Sequence, residues 1–164
     1  GAKSAQHQEC RESSIVEQAL GPARARLDAL CLRAQGDENP YRAKSVLRQI
    51  MSEGVGVVRS RASLERAMDR LEEQAARLPD ALRLPPFSGG ANLLLAEAIE
   101  LLQMLGLSDL ITRAALFRTE SRGAHFREDH PQRDDENWTR NVVVRKVAGC
   151  PEISTALPSG ETLP

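Results

Sequence analysis

Long apolar runs are missing from this sequence. Its densest stretch, Leu93 to Phe117, is broken by Glu97, Glu100, Gln103, Asp109 and Arg113. No segment reaches the roughly 18 residues a bilayer span needs, which excludes direct membrane insertion. Cysteine is scarce as well. Cys10, Cys31 and Cys150 are an odd number at wide spacing without a CxxC, so neither a disulfide framework nor a zinc site is implied, and they read as free thiols in a reducing compartment. An excess of either charge is also lacking: 22 basic side chains face 23 acidic ones, for a formal net charge of -1. Nothing general attracts a polyanion, and no local basic patch stands out, so nucleic acid is not an expected partner. Aromatic residues make up only 3% of the chain, but 41% is hydrophobic and 27% charged, and the mean hydropathy is -0.39. That balance excludes wholesale disorder. At 164 residues it describes one ordinary soluble domain. Gly1-Ala2-Lys3-Ser4 has neither an initiator Met nor an apolar signal core, which suggests a tag remnant or a cut inside a longer chain.

What is present is helical periodicity. Ile15, Leu20, Leu27, Leu30 and Ala34 recur at spacings of one helix face, interrupted at Gly21-Pro22. A break near Gly21 and a firmer helix from Pro22 to about Gln35 follow. In Gly36-Asp37-Glu38-Asn39-Pro40, Asn39 is placed to cap a second helix whose first position is Pro40. Its apolar stripe is Ala43, Val46, Leu47, Ile50 and Met51, with Lys44, Arg48, Gln49 and Glu53 mostly off that face. Gly54 to Arg59 is too glycine-rich and β-branched for helix, and Ser63 opens a further one through Leu64, Ala67, Met68, Leu71 and Ala75 that ends near Leu78-Pro79. Leu82 to Gly90 is a Pro- and Gly-rich connection. The longest helix is predicted from an Asn92 cap to Arg122, closed by Gly123. Its apolar arc is wide enough to demand at least two packing neighbours, as the central helix of a three-helix bundle has. After Gly123 the chain is charged and irregular, and Asn141-Val142-Val143-Val144 suits one short strand.

Residues 118 to 138 are the least generic part, with four arginines, two histidines and six carboxylates. Arg118 and Arg122 fall one turn apart on the predicted helix, near a C-terminus whose dipole favours positive charge. Beyond Gly123, an extended chain puts His125, Arg127 and Asp129 on one side and Ala124, Phe126 and Glu128 on the other. Such a layout suits ion pairs across a domain junction.

The stretch ALFRTESRGAHFREDHPQRDDENW resembles the signature near the C-terminus of the succinate dehydrogenase and fumarate reductase flavoprotein family, which includes L-aspartate oxidase and the adenylylsulfate reductase flavoprotein. Gly36 to Pro40, LRQIMSEGVGVVRSRASLERAMDRLEE and Ala98 to Leu105 are similar, in the same order, to successive stretches of that family's C-terminal helical domain, so the resemblance covers roughly residues 20 to 145. It implies an all-α fold: a three-helix, spectrin-repeat-like bundle over 21–123, a poorly defined segment 1–20, and an extended charged tail over 124–164. It also implies a domain that packs on the family's FAD domain. No GxGxxG follows a strand in this chain, and none of the family's hydride-transfer or substrate-clamping positions maps onto it, so catalytic, cofactor-binding and metal sites are not expected here. FAD belongs to the parent protein by resemblance. The implied domain-interface residues are Arg118, Glu120, Ser121, Arg122, His125, Arg127, Asp129, Arg133, Asp134, Asp135 and Trp138. The implied partners are the FAD-binding domain of the same parent chain, an iron-sulfur electron-transfer subunit, and, for the isolated piece, a second copy. The implied location is the cytoplasm, at the inner face of a membrane through partner subunits. Asn141-Val142 stands where a His-Thr pair is common, and Val147 to Pro164 lacks the basic, proline-containing close of respiratory succinate dehydrogenases, so the parent's substrate stays open.

Other chemistries weigh less. His125 and His130 lack an identifiable nucleophile for acid-base work, and a salt-linked structural role fits them better. Asp129, Asp134 and Asp135 miss the EF-hand spacing and read as capping or solvated carboxylates. Arg118, Arg122 and Arg127 could hold a phosphate or carboxylate ligand, but inter-domain pairing is favoured. Trp138 reads as an anchor of the post-helix segment rather than a flavin-stacking ring. A free-standing helical adaptor sharing the signature is the rival to a flavoprotein domain.

Overall fold

The computed structural model describes residues 25–32, 34–85 and 92–158. The predicted break at Gly21, the segment 1–20 and Cys10 lie outside them. Residues 25–32 form α1, and α2 runs over Pro40–Gly54, capped as predicted: the Asn39 side chain accepts from Tyr41 N at 2.9 Å, with Pro40 at the first position. Its buried residues include Ala43, Leu47 and Ile50, but also Lys44, which corrects the sequence reading. Lys44 lies on the inner side because Glu97 and Glu100 of the facing helix receive its ammonium at 2.5 and 2.7 Å. Those carboxylates raise its pKa, the Glu100 hydrogen bond most. No periodicity within α2 reports partners more than 50 residues away.

The next helix, α3, spans Arg61–Ala81. It starts before Ser63 because Ser60 and Ser63 form a reciprocal capping box, with Ser63 in the third position rather than at the cap. It also runs past Pro79, since Leu82 N resumes the ladder by donating to Leu78 O at 3.1 Å. The backbone that follows is pinned to the loop before α2: Gly36 N donates to Leu82 O and Arg83 N to Glu38 O. At Gly36 an added Cβ would lie 2.0 Å from Ala81 O, so only glycine permits this approach.

The last long helix, α4, spans Leu93–Phe117 with Asn92 as its cap. It packs against both α2 and α3. The core is built from Leu47 and Ile50 of α2, Leu64, Leu71 and Leu78 of α3, Ala98, Leu101 and Leu105 of α4, and Leu82 between them. Each such leucine contributes roughly 1.5–3 kcal/mol.

The predicted helix to Arg122 is five residues too long. Gly123 has φ +56 but serves a tight turn, Arg122 and His125 exchanging backbone hydrogen bonds at 2.8 and 2.9 Å across it. The expectation of an all-α chain with one short strand is also corrected. Val58–Arg59 (β1) pairs in parallel with Phe126–Arg127 (β2), and after the one-turn helix α5 (Asp135–Trp138) the strands Asn141–Val147 (β3) and Cys150–Ala156 (β4) form an antiparallel hairpin. Both turn residues, Ala148 and Gly149, have positive φ, the geometry that fits a right-twisted two-residue hairpin. Both strands of the hairpin touch α4.

Candidate functional site

The signature segment folds on itself at the C-terminal end of α4, and Arg127 is its centre. This guanidinium has no solvent exposure. Its Nη1 donates to Ala115 O, Leu116 O and Arg118 O at 2.9, 3.2 and 3.0 Å, the carbonyls that α4 leaves open. Its Nε and Nη2 meet Asp129 in a bidentate pair at 2.8 and 2.6 Å. A cation ten residues downstream therefore caps the helix and complements its dipole. Arg127 holds the Asp129 carboxyl well below the usual carboxylate range, helped by the Arg61 amide, against the opposing effect of burial.

Glu120 is the second enclosed charge. It receives Arg118, Arg122 and the Asp134 amide, so Arg118 and Arg122 do meet, on a carboxylate rather than on a helix face. Burial works to raise the Glu120 pKa, but hydrogen bonds from Arg122, the Asp134 amide and Arg118 outweigh it and the net shift is downward. Arg122 also reaches Asp135 at 2.7 Å, which Arg133 shares at 2.7 Å. Ser121 Oγ accepts from Arg127 N and donates to His130 O, both at 2.8 Å, tying the turn together. Asp134 caps α5 by accepting from Asn137 N at 3.0 Å. Trp138 donates from Nε1 to Thr119 Oγ1, stands edge-on to Phe117, and lies under the Arg118 guanidinium at 5.0 Å. Arg118 Nη2 donates to Arg140 O at 2.5 Å. The tryptophan thus anchors the post-helix segment on the end of the bundle.

His125 does not share a charged row with Arg127 and Asp129. Its Nδ1 meets Arg59 Nη1 at 2.6 Å, so Nδ1 is the acceptor and the ring is neutral with its proton on Nε2. Burial and then the Arg59 charge lower its pKa, partly countered by the Arg118 carbonyl. His130 Nε2 lies 3.7 Å from Asp129 Oδ2, on the rim of the cluster rather than in its centre. Arg59 and Arg61, the latter donating from its amide to Asp129 at 3.1 Å, belong to this cluster though sequence reasoning did not select them. They lie more than 60 residues upstream, and only the β1–β2 pairing brings them in.

Chemically the cluster is closed. Glu120, Ser121 and Arg127 face inward, and the carboxylates that could chelate a cation are taken up by guanidinium groups and backbone amides. Among the described residues no group of three metal-ligating side chains comes together. The residues also do not fit a flavin: no glycine-rich turn joins a strand to a helix among the described residues, and the guanidiniums of Arg118, Arg122 and Arg127 that could face a pyrophosphate are bound to carboxylates and carbonyls. No helix among the described residues is long and apolar enough to cross a membrane.

Comparison with known proteins agrees with this geometry. The family model described as the fumarate reductase flavoprotein C-terminus matches residues 44–158. The matching chain of the CoM/CoB fumarate reductase of Methanothermobacter marburgensis is 42% identical over 111 residues, covering 68% of this chain and 20% of its own. L-aspartate oxidase of Streptomyces coelicolor is 41% identical over 106 residues, 65% of this chain and 18% of the enzyme. A solved quinol-fumarate reductase with menaquinol superimposes with a TM-score of 0.77 at 30% identity, over 93% of this chain and 26% of the other. The chain spans about a fifth of the length of the curated relatives it matches. With the helical bundle, the self-paired signature and these matches in agreement, the chain belongs to the C-terminal domain family of the fumarate reductase and succinate dehydrogenase flavoproteins.

Proposed function

We propose that this chain is the non-catalytic C-terminal helical domain, a three-helix bundle with a charged extension, of an FAD-dependent oxidoreductase acting on a dicarboxylate. It buttresses the FAD-binding domain of the same parent chain and helps to dock an iron-sulfur electron-transfer subunit. The parent works at the cytoplasmic face of a membrane through its partner subunits. The observation that carries this reading is the self-paired signature: its arginines and carboxylates neutralise one another around Arg127 and Glu120. That chemistry builds a rigid surface and leaves no nucleophile beside a base. Of the signature residues, Asp129, Arg133 and Asp135 are exposed and Arg118, Arg122, His125, Asp134 and Trp138 half-buried, and these supply the outward-facing part of the interface.

Two assays test this. The purified chain is expected to retain no flavin absorbance after incubation with FAD and desalting, and to turn over neither succinate, fumarate nor aspartate; turnover by this chain alone refutes a supporting role. Arg122→Ala is expected to weaken association with the FAD domain while the bundle stays folded, because Glu120 keeps Arg118 and the Asp134 amide. Unchanged association removes the signature from the interface.

A further inference from the structure

Arg59 and His125 make a side-chain contact between β1 and the signature turn, Nη1 to Nδ1 at 2.6 Å. The imidazole is the acceptor, because a guanidinium has only hydrogens to offer. Its other nitrogen, Nε2, is buried and has no hydrogen-bond partner among the described residues. The charges that bear on the ring are guanidiniums from three segments: Arg59 in β1, Arg127 in β2 and Arg118 just past α4. Arg127 and Arg118 have Asp129 and Glu120 as counter-ions, whereas Arg59 has no carboxylate partner among the described residues. With Nε2 already protonated, a second proton enters the ring only at Nδ1, where the Arg59 N–H points. Contact and proton therefore exclude each other, and two cations this close, partly out of water, repel.

The local structure passes that repulsion to the backbone. Arg59 does not swing away freely, since its Nε donates to Gly56 O at 2.5 Å and ties the guanidinium to its own loop. That loop is lightly held. β1 and β2 pair over two residues, through Phe126 N to Val57 O at 3.3 Å and Glu128 N to Arg59 O at 2.8 Å. Val57 and Val58 are exposed, so little packing resists a local opening. At the start of α3, the Arg61 amide donates to Asp129 at 3.1 Å, and this anchor depends on Arg127 rather than on the imidazole.

We infer that the Arg59–His125 contact is a proton-operated latch: it holds loop 56–59 on the signature turn while the imidazole is neutral, and releases β1 from β2, with the bundle intact, when the ring takes a second proton. The latch is separate from the supporting role proposed above and does not depend on it. Burial and the neighbouring guanidiniums hold the closed ring below its ordinary titration range, with the Arg118 carbonyl only partly countering them. The closed form thus binds fewer protons than the open one, so the latch is shut above about pH 6.5 and opens as pH falls.

Amide exchange followed by NMR on the whole 164-residue chain reads the latch. Protection of the Phe126 and Glu128 amides, each taken relative to the intrinsic exchange rate at the same pH, is expected to be level above about pH 6.5. It should then fall severalfold, at most about tenfold, by about pH 5.5. The amides of Leu71 and Leu101, in the core, should stay far better protected throughout, which separates release of β1 from unfolding. Imidazole nitrogen shifts should show the Nε2–H tautomer at neutral pH and a midpoint below about 6.5. In His125→Gln the side-chain carbonyl can still accept from Arg59 but takes no proton, so the two amides should stay protected across the same range. Arg59→Gln should bring the His125 midpoint up toward its ordinary value. Four results overturn the inference: Phe126 and Glu128 protection that does not change with pH, an equal fall in His125→Gln, an Nδ1–H tautomer, or core amides that drop to the level of those in β2. If His125→Gln fails to fold, the tautomer and the Arg59→Gln midpoint decide.

Discussion

Arg127→Met removes the group that holds α4 and the signature together while keeping most of its volume. Three open carbonyls lose their donor and Asp129 loses a bidentate partner. Deleting one member of a buried ion pair costs about 3–5 kcal/mol. Here the Asp129 side chain is 30% exposed and regains water, so the lower end, about 3 kcal/mol, is expected. At roughly 2–4 °C per kcal/mol for a domain of this size, the melting temperature falls by about 6–12 °C. Circular dichroism at 222 nm follows the unfolding, and urea titration gives the free energy. Arg127→Lys keeps the charge but not the planar fork, and recovers less than half of the loss. A double-mutant cycle with Asp129→Asn isolates the pair from the carbonyl contacts. A loss below about 1 kcal/mol for Arg127→Met would refute the view that this guanidinium is the keystone of the site, since it would mean the carbonyls and Asp129 are equally content in water.

His125 gives a pH signature. Its folded pKa lies below the ordinary 6.5, so the unfolded chain binds more protons in the window below that value. Stability is complete above about pH 6.5 and declines as pH falls toward the folded pKa. Urea midpoints from pH 8 to 5 should show this slope, and His125→Gln should flatten it; an identical slope in the variant rules His125 out. Ala148 sits in the left-handed region at φ 49, so Ala148→Gly should stabilise the hairpin by roughly 0.5–1 kcal/mol, read as a rise in urea midpoint, whereas destabilisation would show that the strain is not there. Gly36→Ala forces a methyl against the Ala81 carbonyl and should cost about 1–3 kcal/mol by the same titration; a neutral result would mean that the loop before α2 shifts freely.

Local chemistry explains what could be read in the sequence. Asn39-Pro40 and Asn92 mark helix starts through contacts two or three residues away, and both serve as caps. The end of α4 was not legible, because its terminator is Arg127, ten residues beyond Phe117 and effective only after the chain turns at Gly123. Lys44 was misplaced for a similar reason: an amphipathic stripe records polarity but not the two carboxylates of α4 that let a lysine turn inward. The β3–β4 hairpin escaped because its turn is Ala148-Gly149 rather than Asn-Gly or Asp-Gly, and the strand reading stopped at Val144. Within the site, the signature pointed to the right segment, since its charges lie close in sequence. Its connection to Arg59 and Arg61 depends on a parallel pairing across more than 60 residues, which no local pattern encodes.

The most direct measurement for the whole account is the nucleotide sequence of the source reading frame upstream of residue 1. A supporting helical domain requires a larger chain before it, and the account predicts a strand, a GxGxxG turn and a helix encoded in frame with Gly1. A start codon immediately before Ala2 would contradict it and leave a free-standing helical module.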